Sequence, residues 1–136
     1  MSEKLLNTGF KREVAKLPGA QRVMSCYLCG TCTAGCPVAE VDAGFNPRGI
    51  IQKVLLGFED ELLHSADLWK CVQCHNCVAH CPQDARLADV IRALRGLAVS
   101  RGIVTEEFAA RVQNIDAQYQ LERLDSINRA MEQYGR

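Results

Sequence analysis

Apolar positions recur at helical spacing in three parts of the chain, and helices are the elements they predict. Ile50, Ile51, Val54 and Leu55 repeat once per turn, preceded by Asn46-Pro47 and followed by Gly57. That pattern gives a helix with an N-cap, a proline at its first position and a glycine stop. A short helix is expected over residues 59–64, carrying Leu62 and Leu63. The clearest stripe is Leu87, Val90, Ile91, Leu94, Leu97 and Ala98, which ends at Gly102; such a stripe marks the buried face of an amphipathic helix. Arg86, Arg92, Arg95 and Arg101 fall on its other faces and are expected in solvent, with partner docking as the alternative. Thr105 can cap a last helical region that begins at Glu106-Glu107. Its first stripe is Phe108, Val112, Ile115 and Tyr119; Leu121, Leu124, Ile127, Met131 and Tyr134 follow out of phase, so a break near Gln120 is predicted. Residues 1–25 show no clear period, Pro18-Gly19 reads as a turn, and residues 1–7 are expected to be mobile. A short strand before Cys26 is the only one that the pattern suggests. The expected fold class is mainly α.

Composition narrows the function. A chain of 136 residues fits one domain with a helical tail, since domains usually run to roughly 100–150 residues. Apolar residues make up 48% and aromatic residues only 6%, so the core is thin and a cofactor or partner is expected to add to its stability. Sixteen basic residues balance sixteen acidic ones, which argues against a nucleic-acid partner. No apolar run approaches the roughly 20 residues of a membrane span, and residues 1–16 lack a signal-peptide core. Cytoplasm is therefore the expected compartment. Eight cysteines there are poor candidates for disulfides, because that compartment keeps thiols reduced.

Those cysteines form two matched runs. Cys26, Cys29, Cys32 and Cys36 repeat 45 residues later as Cys71, Cys74, Cys77 and Cys81, and each run is followed at once by a proline, Pro37 and Pro82. The spacing C-x2-C-x2-C-x3-C-P is that of proteins with two 4Fe–4S clusters, in which the fourth cysteine of one run reaches the other cluster. Cys26, Cys29, Cys32 and Cys81 are accordingly assigned to one cluster, and Cys71, Cys74, Cys77 and Cys36 to the other. Zinc would need only paired C-x2-C units and gives no reason for a third and fourth cysteine in strict step. Each proline pushes the preceding cysteine into extended backbone, which aims its thiolate away from its own loop. Gly30 and Gly35 of the first run stand where His75 and His80 stand in the second, so the two clusters need not share a potential. Both histidines are candidates either for a hydrogen bond to cluster sulfur or for simple exposure. Tyr27 and Trp69, beside ligands, are expected to pack around the clusters.

The residues around the cysteines add a resemblance. Cys26-Tyr27-Leu28-Cys29-Gly30-Thr31-Cys32-Thr33-Ala34-Gly35-Cys36-Pro37, Asn46-Pro47-Arg48 and Leu68-Trp69-Lys70-Cys71 resemble the C-type iron–sulfur component of heterodisulfide reductase. So do His80-Cys81-Pro82-Gln83 and Ile91-Arg92-Ala93-Leu94-Arg95, and the likeness runs from about Cys26 to Gly102. It implies an α-helical ferredoxin-like domain with two 4Fe–4S clusters over residues 26–104, after an N-terminal segment over 1–25. The tail over 105–136 lies outside it and either folds back or serves as a partner-docking arm. The resemblance further implies electron transfer between a flavoprotein (A-type) subunit and a cysteine-rich catalytic (B-type) subunit. Related complexes of sulfur-oxidising bacteria use a lipoate-binding protein as well. No catalytic residue is expected on the chain itself, because neither a nucleotide-binding loop nor a nucleophile with its base is present. Two alternatives stay open: an iron–sulfur subunit of another oxidoreductase complex, and an oxygen-labile module that the clusters fold.

Overall fold

The computed structural model describes residues 6–135, so residues 1–5 of the expected mobile stretch lie outside the described residues. The described residues fall into two units divided between Ile103 and Val104. Among them there are helices and loops and no strand. The residues before Cys26, where a strand was expected, form a 3-10 turn over Val23–Ser25. Val23 is fully buried there and anchors the turn.

The first unit is built on two helices that back the cysteine loops. Helix α4 (Pro47–Leu56) starts as its pattern predicts: Asn46 Oδ1 accepts the Gly49 N–H at 3.0 Å, and Pro47 takes the first helical position. Helix α8 (Leu87–Ser100) buries Leu87, Val90, Ile91, Leu94 and Ala98. Four one-turn helices lie along the cysteine runs, namely α2 (Thr31–Ala34), α3 (Pro37–Val41), α6 (Asp67–Lys70) and α7 (Asn76–Ala79). With them are α1 (Phe10–Val14) and α5 (Glu59–Leu63). Helix α2 packs on α4 and α7 packs on α8, while α2 and α7 touch each other.

The stretch before the first cysteine has no readable period, yet it supplies part of the core. Phe10, Val14, Ala20 and Val23 are all fully buried, in one cluster with Ile51, Val54, Leu62, Leu68 and Leu94. Asn7, expected to be mobile, is held in place: its N–H donates to the Gly57 carbonyl at 2.9 Å, and its side chain pairs with Glu59. This crossing decides the residue at position 57. Gly57 closes α4 at φ +86°, and a Cβ there would stand 2.3 Å from the Asn7 carbonyl oxygen. The arginines of α8 are not simply solvated. Arg101 pairs with Glu13 and Glu59, and Arg86 and Arg92 pair with Asp89.

The second unit is helix α9 (Glu106–Gln133), capped by Thr105 Oγ1, which accepts the Phe108 N–H at 3.1 Å. It runs unbroken through Gln120, where a break was expected. No proline or glycine lies between Glu106 and Gln133, so nothing in the backbone ends the helix. Gln118 hydrogen-bonds to Glu122, and Arg129 pairs with Asp125, one turn apart in each case. The change of apolar phase therefore turns the exposed stripe around the helix instead of stopping it. No described helix is long and apolar enough to cross a membrane.

The Asn7–Gly57 crossing yields a direct test. Gly57→Ala should destabilise the protein by about 2 kcal/mol or more, because the new methyl strains φ and meets backbone. Denaturant unfolding of the holoprotein measures this, and an unchanged midpoint would contradict the packing described.

Candidate iron–sulfur centres

The two cysteine runs fold alike. Each begins in extended backbone, at Cys26 (φ −67°, ψ 128°) and Cys71 (φ −63°, ψ 122°). Each then places two residues in the left-handed region at the same offsets: Leu28 (φ 61°) and Gly30 (φ 86°) in the first, Gln73 (φ 56°) and His75 (φ 62°) in the second. The change of handedness curls the loop, and in each run one N–H turns back onto the first sulfur. Leu28 N–H donates to Cys26 Sγ at 3.3 Å, and Gln73 N–H donates to Cys71 Sγ at 3.4 Å. A histidine at positive φ is strained relative to glycine. His75 is held there by Nδ1 on the Gln73 carbonyl (2.9 Å) and Nε2 facing Asp89 (3.3 Å). The side chain of His80 faces the Asn76 carbonyl at 3.0 Å and not a sulfur.

Three guanidinium groups brace these loops through carbonyl oxygens. Arg48 Nε donates to the Leu28 carbonyl at 2.7 Å. Arg95 donates to the Leu68 and Cys71 carbonyls at 2.6 Å each and lies over the Trp69 ring at 5.3 Å. Arg22 donates to the Gln83 and Asp84 carbonyls, both at 3.1 Å, where the chain leaves Cys81. Thr33 Oγ1 accepts the Arg48 N–H at 2.9 Å and so ties α2 to the start of α4. The Asn76 side-chain amide donates to the Gly35 carbonyl and joins the two runs. Trp69 packs partly buried against the core as expected. Tyr27, expected to do the same, is 59% exposed.

Two small apolar hollows lie against the loops. The first is lined by Cys26, Cys29, Cys32, Cys77 and Cys81, with Leu28, Gly30 and Arg48. The second is lined by Cys36, Cys71, Cys74 and Cys77, with Phe45 and His75. Cys77 and Leu87 border both. Cys36 sits in extended backbone (φ −85°, ψ 121°) before Pro37, the conformation that the proline imposes. Among the described residues no three cysteine, histidine or carboxylate side chains converge tightly enough for a single metal ion. The thiols ring a cavity instead, which suits a cube with a ligand at each corner.

Their electrostatics point the same way. Burial pushes the Cys77 thiol up to about 11 and raises Cys32 and Cys71. Cys29, at the surface, is lowered by its hydrogen bond with Thr31 (3.3 Å). Half-buried thiolates crowded in this way need positive charge among them, and coordinated iron supplies it.

Known proteins agree with that geometry. Residues 22–85 match the family model described as a 4Fe-4S dicluster domain. The C2 component of the H(2)/formate:CoB-CoM heterodisulfide,ferredoxin reductase of Methanococcus maripaludis is 38% identical over 109 residues, covering 75% of this chain and 58% of that protein. An iron-sulfur component of C type from the CoB--CoM heterodisulfide reductase of Methanocaldococcus jannaschii is 40% identical over 80 residues, which is 59% of this chain and 42% of that one. The corresponding iron-sulfur component of the Methanopyrus kandleri enzyme is 33% identical over 111 residues, 76% and 57% of the two chains. The chain belongs to the C-type iron–sulfur family of heterodisulfide reductase. It holds two 4Fe–4S clusters. It spans between 42% and 58% of the length of these three curated relatives.

Heterodisulfide reductase C-type features outside the cysteines now have places. Arg48 and Arg95, visible in the sequence only as part of the resembling motifs, are the residues that brace the two ligand loops. Gln73 and Asp89 carried no signal in the sequence. A period-45 comparison of the runs would have singled out Gln73, because it stands where Leu28 stands.

Arg95→Ala should release the loop that carries Cys71 and cost about 2 kcal/mol, the value of charge-assisted bonds to carbonyls. Iron content and unfolding of the purified protein check this: the variant should lose iron on standing, and full retention with unchanged stability would refute the bracing role.

Proposed function

We propose that this chain relays electrons within a heterodisulfide reductase-like complex, between a flavoprotein (A-type) subunit and a cysteine-rich catalytic (B-type) subunit. The observation that carries this reading is that the fourth cysteine of each run lines the cavity of the other run. Cys26, Cys29, Cys32 and Cys81 would then hold one cluster, and Cys71, Cys74, Cys77 and Cys36 the other. Cys77 borders both cavities, and its spacing from Cys71 and Cys74 assigns it to the second. When bound, each cube supplies a site that takes up and gives back one electron. The protein's part is to hold the two close, with Cys77 and Leu87 as a shared wall.

Each set also has one ligand at the surface, Cys29 and Cys74. Tyr27 and Val72, at matched positions beside them, are exposed as well. Two sites with separate solvent-facing edges suit a conductor that receives an electron on one side and passes it on at another. The family names support assembly with other proteins, since the relatives are themselves designated as subunits. With every iron corner held by cysteine, none is left for a substrate.

The chain purified without oxygen should contain about eight iron atoms, four for each cube, and bleach reversibly with dithionite. It should turn over no disulfide by itself. Cys36→Ser should disturb the cluster of Cys71, Cys74 and Cys77, and Cys81→Ser the cluster of Cys26, Cys29 and Cys32. Spectra in which each serine altered only the cluster of its own run would refute the crossed assignment.

A further inference from the structure

The two ligand loops share left-handed backbone at matched offsets, and one of the side-chain differences between them falls on the first ligand sulfur. At the second position after the first cysteine, the first run has Leu28 and the second has Gln73, both left-handed, at φ 61° and 56°. Leu28 offers Cys26 Sγ only its backbone N–H, at 3.3 Å. Gln73 offers Cys71 Sγ two donors, the backbone N–H and the side-chain Nε2, each at 3.4 Å. We propose that Gln73 is a potential-setting residue, whose carboxamide N–H raises the reduction potential of the cluster bound by Cys71.

Hydrogen bonds to ligand sulfur act on potential by a simple route. Reduction adds one negative charge to the cluster and its thiolates, so a donor aimed at sulfur stabilises the reduced state more than the oxidised one. The orientation of the amide is set by the same chemistry. A coordinated thiolate has no proton to give, so only the NH2 end of Gln73 can face it. Its oxygen is thereby turned away, and Gln73 Oε1 is buried without a hydrogen-bond partner among the described residues. An orphaned buried acceptor costs about 1–3 kcal/mol. A glutamine whose only role was packing could be replaced by leucine, as position 28 demonstrates, without that cost.

Placement strengthens the effect. Cys71 is partly buried against the core, and the half-buried Arg95 donates to its carbonyl at 2.6 Å. Water therefore competes little for its sulfur. In the first run the matching side-chain donor is the Thr31 hydroxyl, which faces Cys29 at the exposed edge. Solvent can replace that bond.

The inference rests on the relay reading only in taking Cys71 as a cluster ligand; it holds whichever cluster Cys36 and Cys81 serve. The test is an anaerobic redox titration of the holoprotein, followed by electron paramagnetic resonance, on the native chain, Gln73→Leu and Leu28→Gln. Leucine is accommodated at this backbone conformation, since Leu28 already adopts it. Gln73→Leu should lower one midpoint and leave the other in place, and Leu28→Gln should raise the other midpoint. Unchanged midpoints, or equal movement of both in either variant, would overturn the proposal. Should Gln73→Leu lose iron, Leu28→Gln decides alone: a raised midpoint supports the role and an unchanged one removes it. Iron content read beforehand separates this from failure of the ligand reading, which would show as a native chain without two clusters.

Discussion

Eight thiols drawn around two small cavities are unstable company unless something positive sits among them. Six of the eight press partly buried against the apolar core, where a bare thiolate is poorly solvated and a neighbouring thiolate repels it. Iron removes the conflict by neutralising the charge and fixing the spacing at once. The remainder of the first unit can be understood as what is needed to bring eight sulfurs to two cavities and keep solvent from most of them.

A chain with so few aromatics and so many one-turn helices has little regular structure with which to do this. The loops are instead held by their carbonyls. Arg22, Arg48 and Arg95 come from three separate parts of the sequence, and each donates to backbone oxygens beside a cysteine. A planar guanidinium with several donors suits that task, because it can bridge two carbonyls without requiring either to be charged. The two longest helices of the first unit then act as a base: α4 presents Arg48 to the first run and α8 presents Arg95 to the second. Of the arginines expected on solvent faces of α8, Arg95 is structural for the same reason, while Arg86, Arg92 and Arg101 pair with carboxylates. Carbonyls in left-handed loops have no helix or sheet partners, so side chains must supply them.

Most of the helical framework was legible from local pattern. Asn46-Pro47 and Gly57 bound α4, the stripe from Leu87 to Ala98 is the buried face of α8, and Thr105 caps α9. Where local pattern misled, a distant contact or a missing breaker was responsible. Phe10 and Val14 show no period because a five-residue helix is too short to repeat one, although both are completely buried. Asn7 is pinned by a residue 50 positions away. The shift of phase at Gln120 looked like a break because apolar faces were taken to need one partner surface; an exposed helix has no such need.

Sequence alone determined the chemistry. Spacing between cysteines is a property of the chain, and three residues per step allow one short loop to reach three corners of a cube. The prolines after Cys36 and Cys81 act on the residue next to them, so their effect is also readable locally. Which arginine holds which carbonyl, and the second donor that Gln73 turns onto the Cys71 sulfur, became visible only in three dimensions. The arginine contacts join residues between 20 and 62 positions apart, the Gln73 contact depends on where one side chain turns, and no local spacing encodes either.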